Sequence, residues 1–275
     1  MTRMTRFGSI HRLFIAFLVT CAPAAHAASW EDATGPHATT VVVGAGSESR
    51  YYIHRPITLG SNAHPIAVFA GGTGSNPKNY DALLTQLASH GVVVIADTDP
   101  FQADGLRASA ALNWLIQQND VKGSEYFQKL VPSKVLAIGH SSGGNAAMLA
   151  AINNPRISSL VLYAPALDSG RASELSVPTL YIAGSLDTTV TPQYVKARYL
   201  ETVKAKAWYG ENANQSHIGF ARNPSVLYFT RAWVYAHLLD DAGSARGCFY
   251  GPSWTFESAV TWKETLRNSG ALLGR

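Results

Sequence analysis

The sequence predicts an α/β fold with a mostly parallel central sheet of about eight strands, flanked by helices and without a large cap. Short apolar, β-branched runs alternate with segments of helical period from about residue 39 onward, as in a parallel sheet covered by helices. The central runs are continuously apolar, which is typical of parallel strands buried on both faces.

Each element follows from this alternation. The predicted strands are residues 39–43, 50–54, 65–70, 92–96, 134–139, 159–164, 178–184 and 204–209. The predicted helices are residues 77–90, 104–119, 143–153, 192–202 and 224–239. No helical segment separates the first two strands, so we expect them to form an antiparallel edge. The connection between the sixth and seventh strands is short, which predicts an open cleft.

The first 27 residues have the features of a secretory signal peptide. Three arginines precede an apolar run at 13–19, and Ala25-His26-Ala27 forms a cleavage site. The run is too short to span a membrane. We therefore predict a signal peptide at 1–27, a single catalytic domain at 28–275 and a secreted or periplasmic protein. Lipidation of Cys21 is the alternative for this segment.

Charge and cysteine content exclude several classes of protein. The formal net charge is +4, and cleavage would remove three arginines and no acid, which leaves about +1. No cluster of lysine and arginine indicates a nucleic-acid partner. Cleavage would leave Cys248 alone, and one cysteine cannot form an internal disulfide. The sequence leaves the oligomeric state open.

No cofactor or metal is predicted. The segment VVVGAG at 41–46 resembles the start of a dinucleotide-binding fingerprint, but Ser49 stands where its third glycine belongs. A strand follows instead of a helix, so no helix N-terminus is available to a pyrophosphate. No tight cluster of histidine, cysteine and aspartate indicates a metal site.

A glycine-serine turn carries the chemistry. Residues 139–143 read GHSSG and match G-x-S-x-G between a buried strand and a helix, which is the setting of a nucleophile elbow. The glycine register selects Ser141 as the nucleophile, because centring the motif on Ser142 would need a glycine where His140 stands. Ser142 is expected to offer its backbone N–H to an oxyanion. The structural alternative is a pair of helix-capping serines.

The partners of a nucleophilic serine should follow in the order acid, then histidine. His217 lies in a polar loop after the last predicted strand, whereas His237 lies in an amphipathic helix, so His217 is the predicted base. Asp187 directly follows the seventh predicted strand and is the predicted acid. Asp168, after the preceding strand, is the alternative acid.

The second oxyanion donor should come from the turn after the third predicted strand, residues 70–74. The N–H of Gly72 is the first choice, with Gly71 or Thr73 as alternatives. Glycines in this turn let the backbone approach a substrate closely. The predicted substrate contacts around the site are Gly71, Thr73, His140 and Leu167.

From about residue 35 to about residue 239 the chain resembles the secreted bacterial polyester hydrolases of the cutinase and PET-hydrolase type, and their dienelactone-hydrolase-like relatives. The segments that carry the resemblance are the turn at 70–74 with the helix after it, GHSSGG, PTLYIAGSLDTTVTP and QSHIGF. It implies an α/β-hydrolase fold and hydrolysis of carboxylic esters. These polyesterases usually have an aromatic residue where Gly72 stands, a tryptophan just after the sixth strand, where this chain has residues 164–168, and a C-terminal disulfide.

The predicted function is a serine carboxylic-ester hydrolase that works through an acyl-enzyme, on a small or a polymeric ester. Three alternatives stay open at this stage. The same triad could cleave amides or polyamides, or it could transfer the acyl group to an alcohol. The third alternative is a non-catalytic secreted binding protein on the same scaffold.

Overall fold

The computed structural model describes residues 29–46, 48–166 and 170–272. The predicted signal peptide at 1–27 lies outside the described residues, as do Leu167 and Asp168. The expectations for those residues therefore stay predictions.

Nine strands and eight helices are found in the described part of the chain. The strands are β1 Thr39–Ala45, β2 Tyr51–Pro56, β3 His64–Ala70, β4 Val93–Asp97, β5 Leu130–His140, β6 Ser159–Tyr163, β7 Thr179–Gly184, β8 Ala207–Asn212 and β9 Trp262–Arg267. The helices are α1 Asp81–Ser89, α2 Leu106–Gln118, α3 Ser142–Asn153, α4 Pro192–Glu201, α5 Pro224–His237, α6 Ser244–Gly247, α7 Thr255–Ser258 and α8 Ser269–Leu272.

All nine strands join one sheet in the order β1-β2-β4-β3-β5-β6-β7-β8-β9. Strands β3 to β8 run parallel to one another. Strand β1 is antiparallel to β2, and β2 is antiparallel to β4, which confirms the predicted antiparallel edge. The predicted α/β class with a mostly parallel sheet is confirmed.

The sequence prediction differs from the structure at the other edge of the sheet. Strand β8 begins three residues later than predicted, at Ala207, and β9 was not predicted. Strand β9 pairs antiparallel with β8, with Trp208 opposite Arg267 and Asn212 opposite Trp262. The segment WKETLR is rich in charge and only its first residue is buried, so it lacks the apolar signal of a core strand.

The sheet geometry brings three loops together. Strands β3, β4, β6 and β7 are buried along their whole length, which explains their unbroken apolar sequence. Because β5, β7 and β8 are parallel, their carboxyl ends meet at one edge of the sheet, where α/β proteins bind ligands. We call this the carboxyl edge. In the described part of the β6–β7 connection the secondary structure is the short 3₁₀ turn Ala172–Glu174, so no large cap is built there.

Candidate active site

Ser141 occupies a strained turn between β5 and α3. Its backbone has φ 55° and ψ −127°, a left-handed conformation that costs a non-glycine residue about 1–3 kcal/mol. The Ser141 N–H donates to the carbonyl of Tyr163 on β6 at 3.0 Å, which anchors the turn on the sheet. A Cβ at Gly143 would lie 2.2 Å from the carbonyl oxygen of Ala70, so a glycine is required where α3 meets β3. Such strain is maintained where the surrounding structure fixes it, as at an active site.

A histidine and an aspartate form a hydrogen-bonded row with this serine. His217 Nε2 lies 3.0 Å from Ser141 Oγ, and His217 Nδ1 lies 2.7 Å from Asp187 Oδ2. The Asp187 side chain is fully buried, and its other oxygen accepts the N–H groups of Thr189 and Val190 at 2.8 Å each. Those two bonds hold the carboxylate toward the imidazole. The structure thus brings together the three residues selected from the sequence.

His237, the other histidine considered from the sequence, belongs to a different part of the molecule. Its Nδ1–H donates to the Trp233 carbonyl at 3.0 Å, and the Tyr250 hydroxyl lies 3.0 Å from its Nε2. The residue is half-buried, and both of its ring nitrogens have partners within the protein. His237 is therefore a packing residue of α5.

The turn after β3 holds the candidates for the second oxyanion donor, and their N–H groups differ in whether they are already hydrogen-bonded. The N–H of Gly72 donates to the Tyr80 hydroxyl at 3.0 Å and so is engaged within the protein. The N–H groups of Gly74 and Ser75 donate to the carbonyls of Pro100 and Gly72, at 3.0 and 2.9 Å. Within the described residues no acceptor meets the N–H of Thr73. This amide is the one in residues 72–75 that a substrate oxygen can use.

A hydrogen bond between their side chains links Thr73 and Ser142, the two residues whose backbone N–H groups are the candidate oxyanion donors. Thr73 Oγ1 donates to Ser142 Oγ at 2.8 Å. Ser142 is the first residue of α3, where a backbone N–H has no acceptor within the helix. The hydroxyl pair therefore fixes the spacing between a loop with a free N–H and a helix terminus with another. The sequence analysis selected both residues but did not predict this link.

His140 lies behind the nucleophile, with both of its ring nitrogens bonded inside the protein. Its Nε2 lies 2.8 Å from the carbonyl of His217, and its Nδ1 lies 2.9 Å from the Tyr80 hydroxyl. Burial and, to a lesser degree, the neighbouring His217 together lower the pKa of His140 to about 4, so the ring is neutral near pH 7. Both nitrogens are thus occupied, and a substrate could contact His140 only through the carbon atoms of its ring.

A cavity of about 320 Å³ adjoins His140 between the turn at 74–80 and the loop at 218–222. Its walls include Tyr80, Ile218 and Phe220, and Arg222 is the one charged side chain among its lining residues within the described chain. Ile218, next to His217, is 81 % exposed. Gly71, a predicted substrate contact, is instead buried, with the Tyr80 ring 3.2 Å from where its Cβ would lie.

Tyr80 is the residue of this site that the sequence analysis missed. It closes the 3₁₀ turn Pro77–Tyr80 immediately before α1, and its side chain is buried. The available signal was the Asn76-Pro77 pair, a strong start for a helical turn that fixes where the next side chains point.

Among the described residues no group of three or more histidine, cysteine, aspartate or glutamate side chains could hold a metal ion. No helix within 29–46, 48–166 and 170–272 is long and apolar enough to cross a membrane.

Comparison with known proteins gives consistent matches. A family model described as PET hydrolase-like matches residues 18–251. Cutinase 2 of Thermobifida cellulosilytica is 31 % identical over 218 residues, which are 76 % of this chain and 80 % of that protein. Bis(hydroxyethyl) terephthalate hydrolase of Streptomyces coelicolor is 27 % identical over 235 residues, or 80 % of this chain and 73 % of that protein. Cutinase est1 of Thermobifida alba is 25 % identical over 217 residues.

Proposed function

This chain belongs to the PET hydrolase-like family, and we propose that it hydrolyses carboxylic esters, with Ser141 as the nucleophile of a Ser-His-Asp triad. The observation that carries the proposal is the row of contacts from Ser141 Oγ to His217 Nε2 at 3.0 Å and from His217 Nδ1 to Asp187 Oδ2 at 2.7 Å. The relatives named as cutinases and as a terephthalate-ester hydrolase support an ester as the substrate.

The chemistry follows from the tautomer that the acid imposes. The Asp187 carboxylate can only accept a hydrogen bond, so the proton of neutral His217 is on Nδ1 and the lone pair of Nε2 faces Ser141. His217 takes the Ser141 proton as Oγ attacks the ester carbonyl, and it then gives that proton to the departing alcohol. Water, activated by the same nitrogen, releases the acid from the acyl-enzyme and restores the serine.

The tetrahedral intermediate needs two donors for its oxyanion. We assign them to the N–H of Ser142, at the start of α3, and the N–H of Thr73. The engaged N–H of Gly72 argues against the first choice made from the sequence, and the free N–H of Thr73 supports the alternative. Removal of one such donor costs roughly 3 kcal/mol of transition-state stabilisation in related chemistry.

The open carboxyl edge supports a bulky or polymeric ester as the substrate. The described part of the β6–β7 connection contains only a short 3₁₀ turn, so a chain-like substrate can approach Ser141 from solvent. The signal-peptide features of residues 1–27 support action outside the cytoplasm. Sequencing of the exported protein from its N-terminus checks this, with Ala28 as the expected first residue.

The test replaces the nucleophile and keeps the fold. Ser141→Ala should abolish turnover of p-nitrophenyl butyrate and labelling by a fluorophosphonate probe, while the far-UV circular dichroism spectrum stays unchanged. Ser258→Ala, which removes an exposed hydroxyl on α7, is the matched control and should keep both properties. Activity of Ser141→Ala equal to wild type would refute the proposed nucleophile, and an unlabelled, inactive wild type would favour a non-catalytic binding protein.

A further inference from the structure

We propose that Tyr80 is a positioning residue that ties the oxyanion turn to the loop of the catalytic histidine, through His140. The inference rests on the proposed function, because it concerns the alignment of the same site. Its basis is a chain of hydrogen bonds that runs from Gly72 through Tyr80 and His140 to the backbone of His217.

The direction of every bond in this chain follows from the first acceptor. The His217 carbonyl can only accept, so the proton of the neutral His140 ring is on Nε2, which donates at 2.8 Å. His140 Nδ1 then carries a lone pair and accepts the Tyr80 O–H at 2.9 Å. The Tyr80 oxygen in turn accepts the N–H of Gly72 at 3.0 Å. The Tyr80 hydroxyl is therefore both donor and acceptor. Ser75 Oγ lies farther from it, at 3.3 Å, and since the single hydroxyl proton goes to His140, a bond to Ser75 would have the serine as donor.

This chain connects two loops that are far apart in sequence. Tyr80 precedes His140 by 60 residues, and His140 precedes His217 by 77. Gly72 adjoins Thr73, which we assign as an oxyanion donor, and the bonded carbonyl belongs to the proposed base itself. One side chain therefore couples the position of the oxyanion donor to that of the base, on opposite sides of Ser141.

Packing holds the Tyr80 ring in the required place. Its centroid lies 4.6 Å from that of Phe69 on β3, and the side chain is 7 % exposed. The Asn76 side chain caps the turn Pro77–Tyr80 by accepting the N–H of Lys78 at 3.0 Å. The hydroxyl is thus aimed by a rigid turn, whereas an exposed tyrosine would lose rotamer freedom on forming these bonds.

The same packing explains why a glycine occupies position 72. A Cβ there would lie 3.2 Å from both Ser141 Cβ and His140 Nδ1, and 3.5 Å from the Tyr80 hydroxyl oxygen. A side chain would press against Ser141 and His140, which would have to shift by a few tenths of an ångström.

The experiment removes one hydroxyl and compares it with a matched pair elsewhere. Tyr80→Phe keeps the ring and deletes the bonds to Gly72 and His140, together with the 3.3 Å contact with Ser75 Oγ. The control is Tyr250→Phe, because Tyr250 is buried to the same degree and its hydroxyl bonds His237 at 3.0 Å, outside the site. We expect kcat for p-nitrophenyl butyrate to fall about 10- to 100-fold in Tyr80→Phe with KM within about twofold of wild type, since misplacement of reacting groups acts on the transition state. Tyr250→Phe should keep wild-type kcat.

A spectroscopic measurement separates positioning from a general loss of stability. Two-dimensional ¹⁵N–¹H NMR of the imidazole rings should show His140 as the Nε2–H tautomer in the wild type. Its Nδ1 resonance should move downfield in Tyr80→Phe, where the donated hydrogen bond is gone, and the Gly72 amide proton should exchange faster. Both changes should be absent in Tyr250→Phe.

Three results decide the proposal. Equal kcat in wild type and Tyr80→Phe would overturn it, and so would an Nδ1–H tautomer of His140 in the wild type. A selective fall of kcat together with the His140 shift would support it. Failure of the proposed function appears separately, as a wild-type protein that neither turns over esters nor reacts with a fluorophosphonate.

Discussion

Two histidine–tyrosine pairs, one at the carboxyl edge and one between α5 and the C-terminal layer, have the same kinds of hydrogen-bond partner. We define the C-terminal layer as residues 244–267, which cover β8 and α5. In each pair a main-chain carbonyl accepts from one ring nitrogen and a tyrosine hydroxyl lies 2.9–3.0 Å from the other. Burial lowers the pKa of both histidines, His140 and His237, to about 4. The two pairs therefore resemble each other locally, with the roles of the two ring nitrogens exchanged.

They differ in the carbonyl that each histidine binds. His237 donates to Trp233, one turn earlier in the same helix, so its bonds stabilise α5. His140 donates to His217, in a separate loop that carries the proposed base. The histidine–tyrosine pair at the carboxyl edge thus belongs to the candidate site because it holds the loop of the proposed base in place. Its pKa and burial alone do not distinguish the two cases.

The largest predicted loss of stability comes from a substitution in the core of the C-terminal layer. Phe256 is fully buried between Phe229 and Trp262, with ring centroids 4.7 and 4.8 Å away. Phe256→Ala should lower the free energy of unfolding by about 3–5 kcal/mol, because it removes buried apolar surface and leaves a cavity. The kcat per active site should stay at the wild-type value. Urea denaturation and kinetics on titrated active sites measure the two quantities.

A milder variant keeps this prediction testable should Phe256→Ala fail to fold. Phe256→Leu retains most of the apolar volume and should lose less stability than the alanine variant, again with unchanged kcat. A fall in kcat of the folded Phe256→Leu protein would contradict the separation of the two regions and would show that the layer positions the triad.

This layer is also where prediction from sequence was weakest. The Ser141, Asp187 and His217 signals were readable because each lies at the end of a core strand, in a local motif of a few residues. Strand β9 had no such signal, since WKETLR becomes a strand only by pairing with β8. Gly210 shows the dependence: a Cβ there would lie 2.4 Å from the Phe256 ring, a contact with a residue 46 positions away.

Long-range polar contacts at the carboxyl edge were equally hidden from the sequence. Gly72 was the natural first choice for an oxyanion donor because a glycine permits close approach of a substrate. Its N–H is engaged by a hydroxyl eight residues later, at a position that depends on how the intervening turn folds. The sequence thus located the turn to which we assign the donor, and only the folded structure shows which of its N–H groups has no acceptor within the described residues.

A second prediction concerns two hydrogen bonds between hydroxyl groups, one in each of the two regions. Thr73 and Ser142 bond at 2.8 Å at the carboxyl edge, and Ser225 and Thr261 bond at 2.6 Å where the C-terminal layer meets α5. Ser142→Ala and Thr73→Val each keep the backbone N–H but lose the link. We expect kcat/KM to fall about 5- to 30-fold in either, with a coupling energy of about 1–2 kcal/mol in the double-mutant cycle. Steady-state kinetics on p-nitrophenyl butyrate measures all four proteins.

The control cycle is Ser225→Ala with Thr261→Val. It removes a hydroxyl pair of the same kind and should leave kcat/KM within about twofold of wild type, since an exposed hydrogen bond is worth little. Thr73→Ser, which restores a hydroxyl, should recover activity. Additive effects of Thr73→Val and Ser142→Ala would show that the two hydroxyls act independently and that their bond does not set the donor spacing.

The smallest predicted effect is on the pH dependence of the free energy of unfolding, to which His140 and His237 should contribute in the same direction. The pKa values of His140 and His237 are about 4 in the folded protein, below the unperturbed value of 6.5, so the unfolded chain binds more protons between those limits. Their contribution to stability is therefore fully present above pH 6.5 and is lost as the pH falls toward 4. Each histidine should add up to about 1.4 kcal/mol per pH unit to the slope within this window.

His237→Gln should flatten the slope of unfolding free energy between pH 6.5 and 5 by about that amount, measured by urea titration at several pH values. Since His237 bonds only within α5 and to Tyr250, the pH profile of kcat should stay unchanged, whereas a shift in that profile would mean that the C-terminal pair reaches the active site after all.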